Sequence, residues 1–519
     1  MYLRFILLVI FVVVVDEALS LGINHWKFRE KLQEYRRQRL HLEVHRKLGG
    51  KFPDAVSDIF PAEYLTQPLD HFDSENRATY KQRYWVNSGS WMKKQDGPVF
   101  LFIGGESGLS EFDVIMGEHV QLAEKYSALI FAVEHRFYGD SLNDDGLELK
   151  NLKFLSSQQA LADLASFYEH AVNKYNLTER NTWICFGGSY PGALSAWFRL
   201  KYPHIVYGAI ASSAPVRAQA NFEGYNDVVA SSLADPVVKG SQECASAVRK
   251  AFSQVDDMLK RGQHRHLAED FQSCGDISSH YDTVTFVSNL ADHFMSVVQY
   301  NGEMPNVNIS RLCQMMTGSS DPYYNLMTIN KMMLNATEEK CVDNSWANYT
   351  KKLSNVTVTR GDTGMMRQWT FQTCTQFGYY QTCDEGSRCL FSHQMDFQSN
   401  LDICQSVFNI PGEEVARRVD FTNAYYGADR PKGSRIVFVN GSIDPWHALS
   451  VLRNQSSTEV AIFINGTAHC ANMESAVPQD PPALTQARQK ISDIIGEWLR
   501  DASGHAGKKD PNTLYFQKL

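Results

Sequence analysis

Six short runs of apolar or small residues recur along this chain, and the stretches between them have helical spacing. The runs are PVFLFI at 98–103, ALIFAV at 128–133, TWICF at 182–186, AIASSA at 209–214, RIVFV at 435–439 and EVAIFI at 459–464. A strand buried on both faces reads as such a continuous run, whereas a half-solvated strand alternates. Helical patterns fall at 158–175, 193–202 and 484–499. Strands alternating with helices predict βαβ units and a mainly parallel sheet. The expected fold class is therefore α/β.

That texture breaks off for about two hundred residues. The segment 217–420 has helical patterns, no clear strand run, and eight of the ten cysteines: Cys244, Cys274, Cys313, Cys341, Cys374, Cys383, Cys389 and Cys404. Those eight can close among themselves as four bonds, but spacing does not say which pairs form. Cys185 sits inside a core run and reads as a buried free thiol. At 519 residues the chain exceeds the roughly 250–300 at which a single core stops growing. The expected organisation is a core in two parts, 59–216 and 421–500, with a mostly helical, disulfide-containing cap inserted at 217–420. A polar tail, 501–519, is expected to be loose.

The beginning of the chain reads as a targeting segment. Arg4 precedes the apolar run Phe5 to Val15, the run stops at Asp16, and Ala18-Leu19-Ser20 offers small residues at cleavage spacing. A spanning helix needs about 20 apolar residues, so residues 1–20 read as a signal peptide and no stable membrane anchor is expected. Residues 21–58 are charged and helical in pattern, fitting either a propeptide-like segment or an ordinary surface helix. The cysteine content fits an oxidising compartment. Eight Asn-X-Ser/Thr sequons point the same way. Asn176, Asn308, Asn335, Asn348, Asn355 and Asn454 are the candidates for glycosylation. Asn440 and Asn465 lie too near the catalytic candidates for both to be modified. The expected location is the secretory pathway, secreted or endosomal/lysosomal. A net charge of −8 and a pI near 6.1 give no basic face for nucleic acid.

The chemistry starts at Gly187-Gly188-Ser189-Tyr190-Pro191-Gly192, which follows one run and opens a helical stretch. A sharp strand-to-helix turn with small flanking residues is the nucleophile elbow of an α/β-hydrolase. Pro191 stands where the usual pattern has glycine, and proline suits a first helical turn. A serine hydroxyl needs a base, and the base an orienting acid, in the chain order Ser, Asp, His. Asp444 follows RIVFV, and His469 follows EVAIFI. Ser189, Asp444 and His469 are thus the expected catalytic residues. His447 shares a loop with Asp444 and reads as structural; His135 and Asp140 read as a polar network below the site. Cys470 lacks an elbow of its own, so thiol chemistry is not expected. Oxyanion donors are expected at Tyr190, after the nucleophile, and at Gly105 or Glu106 in the loop after an early strand. No ligand spacing marks a metal site, and no glycine-rich nucleotide motif implies a cofactor.

Eight segments carry a family resemblance: QPLDHF, FLFIGGESG, EHRFYGDS, GGSYPGALSAWFRLKYP, FEGYNDVV, RQWTFQTCTQFGYYQTC, VNGSIDPWHALSV and GTAHCANM. Spread from about residue 60 to 475, they resemble the prolylcarboxypeptidase and dipeptidyl peptidase II family of serine peptidases. The resemblance implies an α/β-hydrolase core with a helical cap between serine and aspartate, and cleavage beside proline at one end of short peptides. It also implies that Trp446 lines a proline pocket. Two positions depart from the pattern. Thr370 stands where dipeptidyl peptidase II has the aspartate that receives the substrate's amine, and Cys470 where prolylcarboxypeptidase has a second histidine.

The expected function is a serine peptidase working through an acyl-enzyme, a proline-related exopeptidase with peptides as partners. An esterase or lipase on the same fold is the first alternative; ester hydrolysis without any peptide cleavage would mark it. A non-catalytic binding protein is the second; failure to react with a serine-directed probe would mark it. The sequence leaves the oligomeric state open, a homodimer included.

Overall fold

The structure, a computed structural model, describes residues 27–36, 38–39, 56–91, 97–143, 145–357 and 365–506. The targeting segment at 1–20 and the tail beyond 506 lie outside them. Ten strands run in chain order: β1 (Glu63–Pro68), β2 (Thr79–Asn87), β3 (Val99–Ile103), β4 (Leu129–Val133), β5 (Trp183–Gly188), β6 (Gly208–Ser212), β7 (Gln219–Asn221), β8 (Gly378–Tyr380), β9 (Ile436–Gly441) and β10 (Glu459–Ile464).

Eight of them form one sheet in the order β1-β2-β4-β3-β5-β6-β9-β10. From β4 to β10 every pairing is parallel; β1 and β2 add on antiparallel. All six apolar runs land on parallel strands. Their side chains divide by the period of two. Val99, Leu101 and Ile103 enter one core with Leu164, Phe167 and Trp197. Phe100 and Phe102 enter a second core with Leu484, Ile491 and Trp498 of the last helix, Pro482–Ala506. Each such side chain contributes about 1.5–3 kcal/mol on burial. A one-residue slip would exchange the two sets, so the register is tightly specified.

Between β6 and β9 the chain builds a cap of helices. Its spine, His280–Gln299, is buried from Thr283 to Gln299. Its buried polar residues find partners inside the cap: Asn289 Nδ2 donates to Asn344 Oδ1 at 2.7 Å and Ser296 Oγ to Asp292 Oδ1 at 2.9 Å. Four disulfides tie the cap: Cys244–Cys313, Cys274–Cys341, Cys374–Cys404 and Cys383–Cys389. Cys185 and Cys470 are free and buried. The chain is thus an α/β-hydrolase core with a helical, disulfide-containing cap.

Three details differ from expectation. The cap also holds a two-stranded parallel sheet, β7 with β8, too short to show as a run. The last helix continues to Ala506, past the expected start of the loose tail. In the N-terminal segment, residues 27–36 form the helix their pattern suggests, but with Phe28 and Leu32 buried rather than at the surface.

Candidate active site

β5 ends in two glycines, and the helix Tyr190–Lys201 begins at once. Ser189 joins them with φ 59° and ψ −131°. A non-glycine residue in that region is strained and persists only where its surroundings impose it. Ser189 N donates to Ser212 O at 2.9 Å, tying the turn to the end of β6. Oγ of Ser189 is buried and has no hydrogen-bond partner among the described residues.

Asp444 caps the short 3-10 helix Pro445–Leu449 just beyond β9. Its Oδ1 accepts from Trp446 N at 3.0 Å and from His469 Nδ1 at 2.7 Å. A carboxylate only accepts, so Nδ1 carries a proton. Asp444 and His469 are both buried, at 0% and 1% exposure. His469 lies in the loop after β10, and two contacts hold that loop. His469 N donates to Gln299 O at 3.1 Å, and Cys470 N donates to Ser213 Oγ at 2.9 Å. The loop reaches the elbow itself: a Cβ on Gly188 would lie 2.1 Å from Met473 Sδ and 2.7 Å from Cys470 Sγ. The elbow and the histidine loop are therefore in contact, but the serine–histidine hydrogen bond is not formed. Catalytic hydrogen bonds often tighten only when substrate binds.

Tyr190 is the first residue of the elbow helix, where a backbone N–H has no partner within the helix. Its ring is anchored in the cap. The hydroxyl lies 3.0 Å from His135 Nε2 and accepts from Gln372 Nε2 at 3.1 Å. Burial pushes the His135 imidazole down to about 4, so it is neutral. Nδ1 of His135 faces the Arg136 carbonyl and donates there, leaving Nε2 to accept from Tyr190. Asp140 belongs to another network: it pairs with Arg83 at 2.6 Å, and Arg83 also holds Glu134. His447 Nδ1 lies 3.1 Å from Gly441 O, a structural contact.

Gly105 follows β3 and faces the elbow. A Cβ there would sit 2.2 Å from Pro191 Cγ, so only glycine allows this approach. Glu106 is buried beside it, 3.7 Å from Arg29 of the N-terminal helix. Trp446 is fully buried, with Phe222, Tyr225 and Tyr379 around it. Its ring centroid lies 6.4 Å from that of His469. Thr370 is buried and donates to Met366 O within its own helix.

Some residues at the site left no sequence signal. Gln299 ends the cap's spine; its Oε1 accepts from Tyr225 Oη at 2.6 Å and Trp446 Nε1 at 3.1 Å. Asn472 Nδ2 donates to Ser212 Oγ at 2.9 Å and Glu118 Oε2 at 3.0 Å, clamping the histidine loop onto β6. Among the described residues no three His, Cys, Asp or Glu side chains form a metal cluster, and no helix is long and apolar enough to cross a membrane.

Known proteins resemble the chain to different degrees. The thymus-specific serine protease of Mus musculus is 39% identical over 486 residues, 92% of this chain and 94% of that one. The lysosomal Pro-X carboxypeptidase of Bos taurus is 27% identical, covering 85% of this chain and 88% of its own. Among solved structures, the proline iminopeptidase of Mycobacterium smegmatis aligns with a TM-score of 0.36 at 10% identity, over 86% of this chain and all of that one. The family model for serine carboxypeptidase S28 matches residues 67–491, most of the chain. The chain therefore belongs to the serine carboxypeptidase S28 family and is a serine-type peptidase.

Proposed function

We propose that Ser189, His469 and Asp444 form the catalytic triad, and that the enzyme cleaves short peptides at one end, beside proline. The single observation that carries this is the buried 2.7 Å contact from His469 Nδ1 to Asp444 Oδ1, on a loop packed against the Ser189 elbow. His469 Nε2 takes the serine proton as Oγ attacks the peptide carbonyl carbon. The same proton then passes to the leaving nitrogen as the C–N bond breaks. Water, deprotonated by His469, releases the acyl group from Ser189 and restores the hydroxyl. Backbone N–H groups of Tyr190 and of Gly105 or Glu106 are the proposed donors to the tetrahedral oxyanion.

The proline preference is drawn from the bovine relative's name and from the aromatic surroundings of Trp446. Four disulfides support passage through the secretory pathway, and the lysosomal relative supports an endosomal or lysosomal destination. Asn176, Asn335, Asn348, Asn355 and Asn454 are exposed and Asn308 is half-buried, which supports glycan attachment there, whereas Asn440 is buried.

A fluorophosphonate probe and a mixed peptide library test the reading together. Wild-type protein should react at Ser189 and release terminal fragments beside proline, and Ser189→Ala should do neither. Equal labelling of the variant would remove the serine from its role; ester turnover with no peptide cleaved would make the enzyme an esterase.

A further inference from the structure

The N-terminal helix at 27–36 is far more buried than its composition foretells. Arg29, Gln33 and Arg36 are exposed by only 3%, 4% and 5%, alongside Phe28 and Leu32. Phe28 stacks on Tyr300 at 6.4 Å between ring centroids, and the Arg36 guanidinium lies 5.6 Å from the same ring's centroid. Tyr300 directly follows Gln299, the residue whose carbonyl holds His469.

Five cations of this segment each meet a glutamate of the body. Lys27 pairs with Glu339 at 2.6 Å, Lys31 with Glu338 at 3.0 Å, and Arg36 Nε donates to Glu303 at 2.5 Å. Those three glutamates belong to the cap. Arg29 lies 3.7 Å from Glu106 in the loop after β3, and Arg39 pairs with Glu474, five residues past His469. The segment therefore bridges cap, elbow side and histidine loop at once. A cavity of about 480 Å³ is lined by Arg36 and Arg39 of the segment together with His469. Ser189 itself is 0% exposed. With the segment in place, Arg36 and Arg39 line the cavity that leads to His469.

We propose that the acidic surface framing the site is a docking site for a basic amphipathic peptide, and that its occupant here is this chain's own segment 27–39, which keeps the enzyme latent. The chemistry fits one class of occupant: an apolar residue every fourth position, Phe28 and Leu32, set between cations spaced to meet Glu106, Glu303, Glu338, Glu339 and Glu474. Once displaced, the segment leaves five carboxylates without their cations, two of which, Glu303 and Glu474, line the cavity beside His469. They favour cationic peptides over acidic ones by field as well as by contact.

The proposal rests on the Ser189 reading only for one of its two readouts. The full chain is made with a site-specific protease sequence in place of residues 46–51, then cut. Fluorophosphonate labelling is timed before and after cutting, and in the uncut double variant Arg29→Glu, Arg36→Glu. Separately, a fluorescent peptide of residues 27–39 is titrated into cut protein by anisotropy, with and without Glu303→Lys and Glu474→Lys. The expected results are labelling at least tenfold faster after cutting, and peptide binding that the lysine variants weaken at least tenfold. Equal labelling before and after cutting overturns the latency. Absent binding of the peptide overturns the docking site. Binding without labelling in any state instead overturns the role of Ser189 and leaves the docking site standing. If the double variant fails to fold, the cut protein still decides.

Discussion

The carbonyl of Gln299 accepts the backbone N–H of His469 at 3.1 Å, so the last residue of the cap's buried spine sets the height of the proposed catalytic base. The side chain of the same residue accepts from Trp446 and Tyr225. This glutamine is thus one of the points where cap and core meet, 170 positions away from the histidine in the chain.

Gln299→Leu separates the two roles. The carbonyl contact to His469 survives, but the buried indole N–H of Trp446 loses its acceptor. An orphaned buried donor costs about 1–3 kcal/mol. Thermal unfolding should occur several degrees lower, while labelling at Ser189 slows less than tenfold. A labelling loss of a hundredfold or more would mean that the side chain, not the carbonyl, positions the base.

Asp444→Asn addresses the tautomer. An amide in place of the carboxylate can offer its N–H to Nδ1, which puts the imidazole proton on Nε2, the wrong nitrogen. Turnover should fall by about 10⁴ with the fold intact, as a triad of this logic requires. Peptide turnover measured beside the unfolding temperature checks this; a loss below tenfold would give the orienting role to another group.

The six strands were legible because a parallel sheet covered on both faces needs continuous apolar runs. β1 and β2 escaped notice for the opposite reason. They pair antiparallel at the sheet's edge, and β2 carries Lys81, Gln82 and Arg83 among its apolar residues. The elbow was legible because its geometry is local: a strand, a turn of small residues and a helix within ten positions. Asp444 and His469 could be placed because each follows a strand at the same sheet edge. Gln299 could not, since its role comes from where a long helix happens to end in space. The N-terminal helix illustrates the same limit. Its charged, helical pattern fits a propeptide-like segment and an ordinary surface helix alike, and the burial of its cations became visible only with the glutamates that meet them.

Gly105→Ala tests the close approach beside the elbow. The added Cβ would fall 2.2 Å from Pro191 Cγ, far inside contact distance, so the loop after β3 must retreat. If that loop supplies an oxyanion donor, turnover should drop about 10²–10³-fold. Adding Pro191→Ala removes the ring that clashes and should return part of the loss. Activity unchanged in Gly105→Ala would exclude this loop from the oxyanion hole; no recovery in the double variant would show that the clash lies elsewhere.

Stability should depend on pH through four buried groups near the site. Burial raises the Asp113 carboxyl from 3.8 to about 8 and the Glu118 carboxyl from 4.5 to about 7. Burial also lowers the His119 and His135 imidazoles from 6.5 to about 4. An acid raised on folding stabilises while protonated, and that contribution fades as pH climbs from its unfolded to its folded value. A histidine lowered on folding does the reverse: its contribution is whole above 6.5 and fades as pH falls toward 4. Between 4.5 and 6.5 two rising and two falling slopes oppose one another, so stability should be nearly flat. Above 6.5 only the carboxyls still titrate, and stability should decline until about 8. Unfolding temperatures measured at pH 5.5 and 8 should therefore differ by several degrees, with the acidic sample higher. Glu118→Gln keeps the partner of Asn472 without a charge to bury, so it should narrow the gap. An equal or higher unfolding temperature at pH 8 would mean that these carboxyls are ionised in the fold, stabilised by contacts beyond Asn472 and the Ser110 backbone N–H.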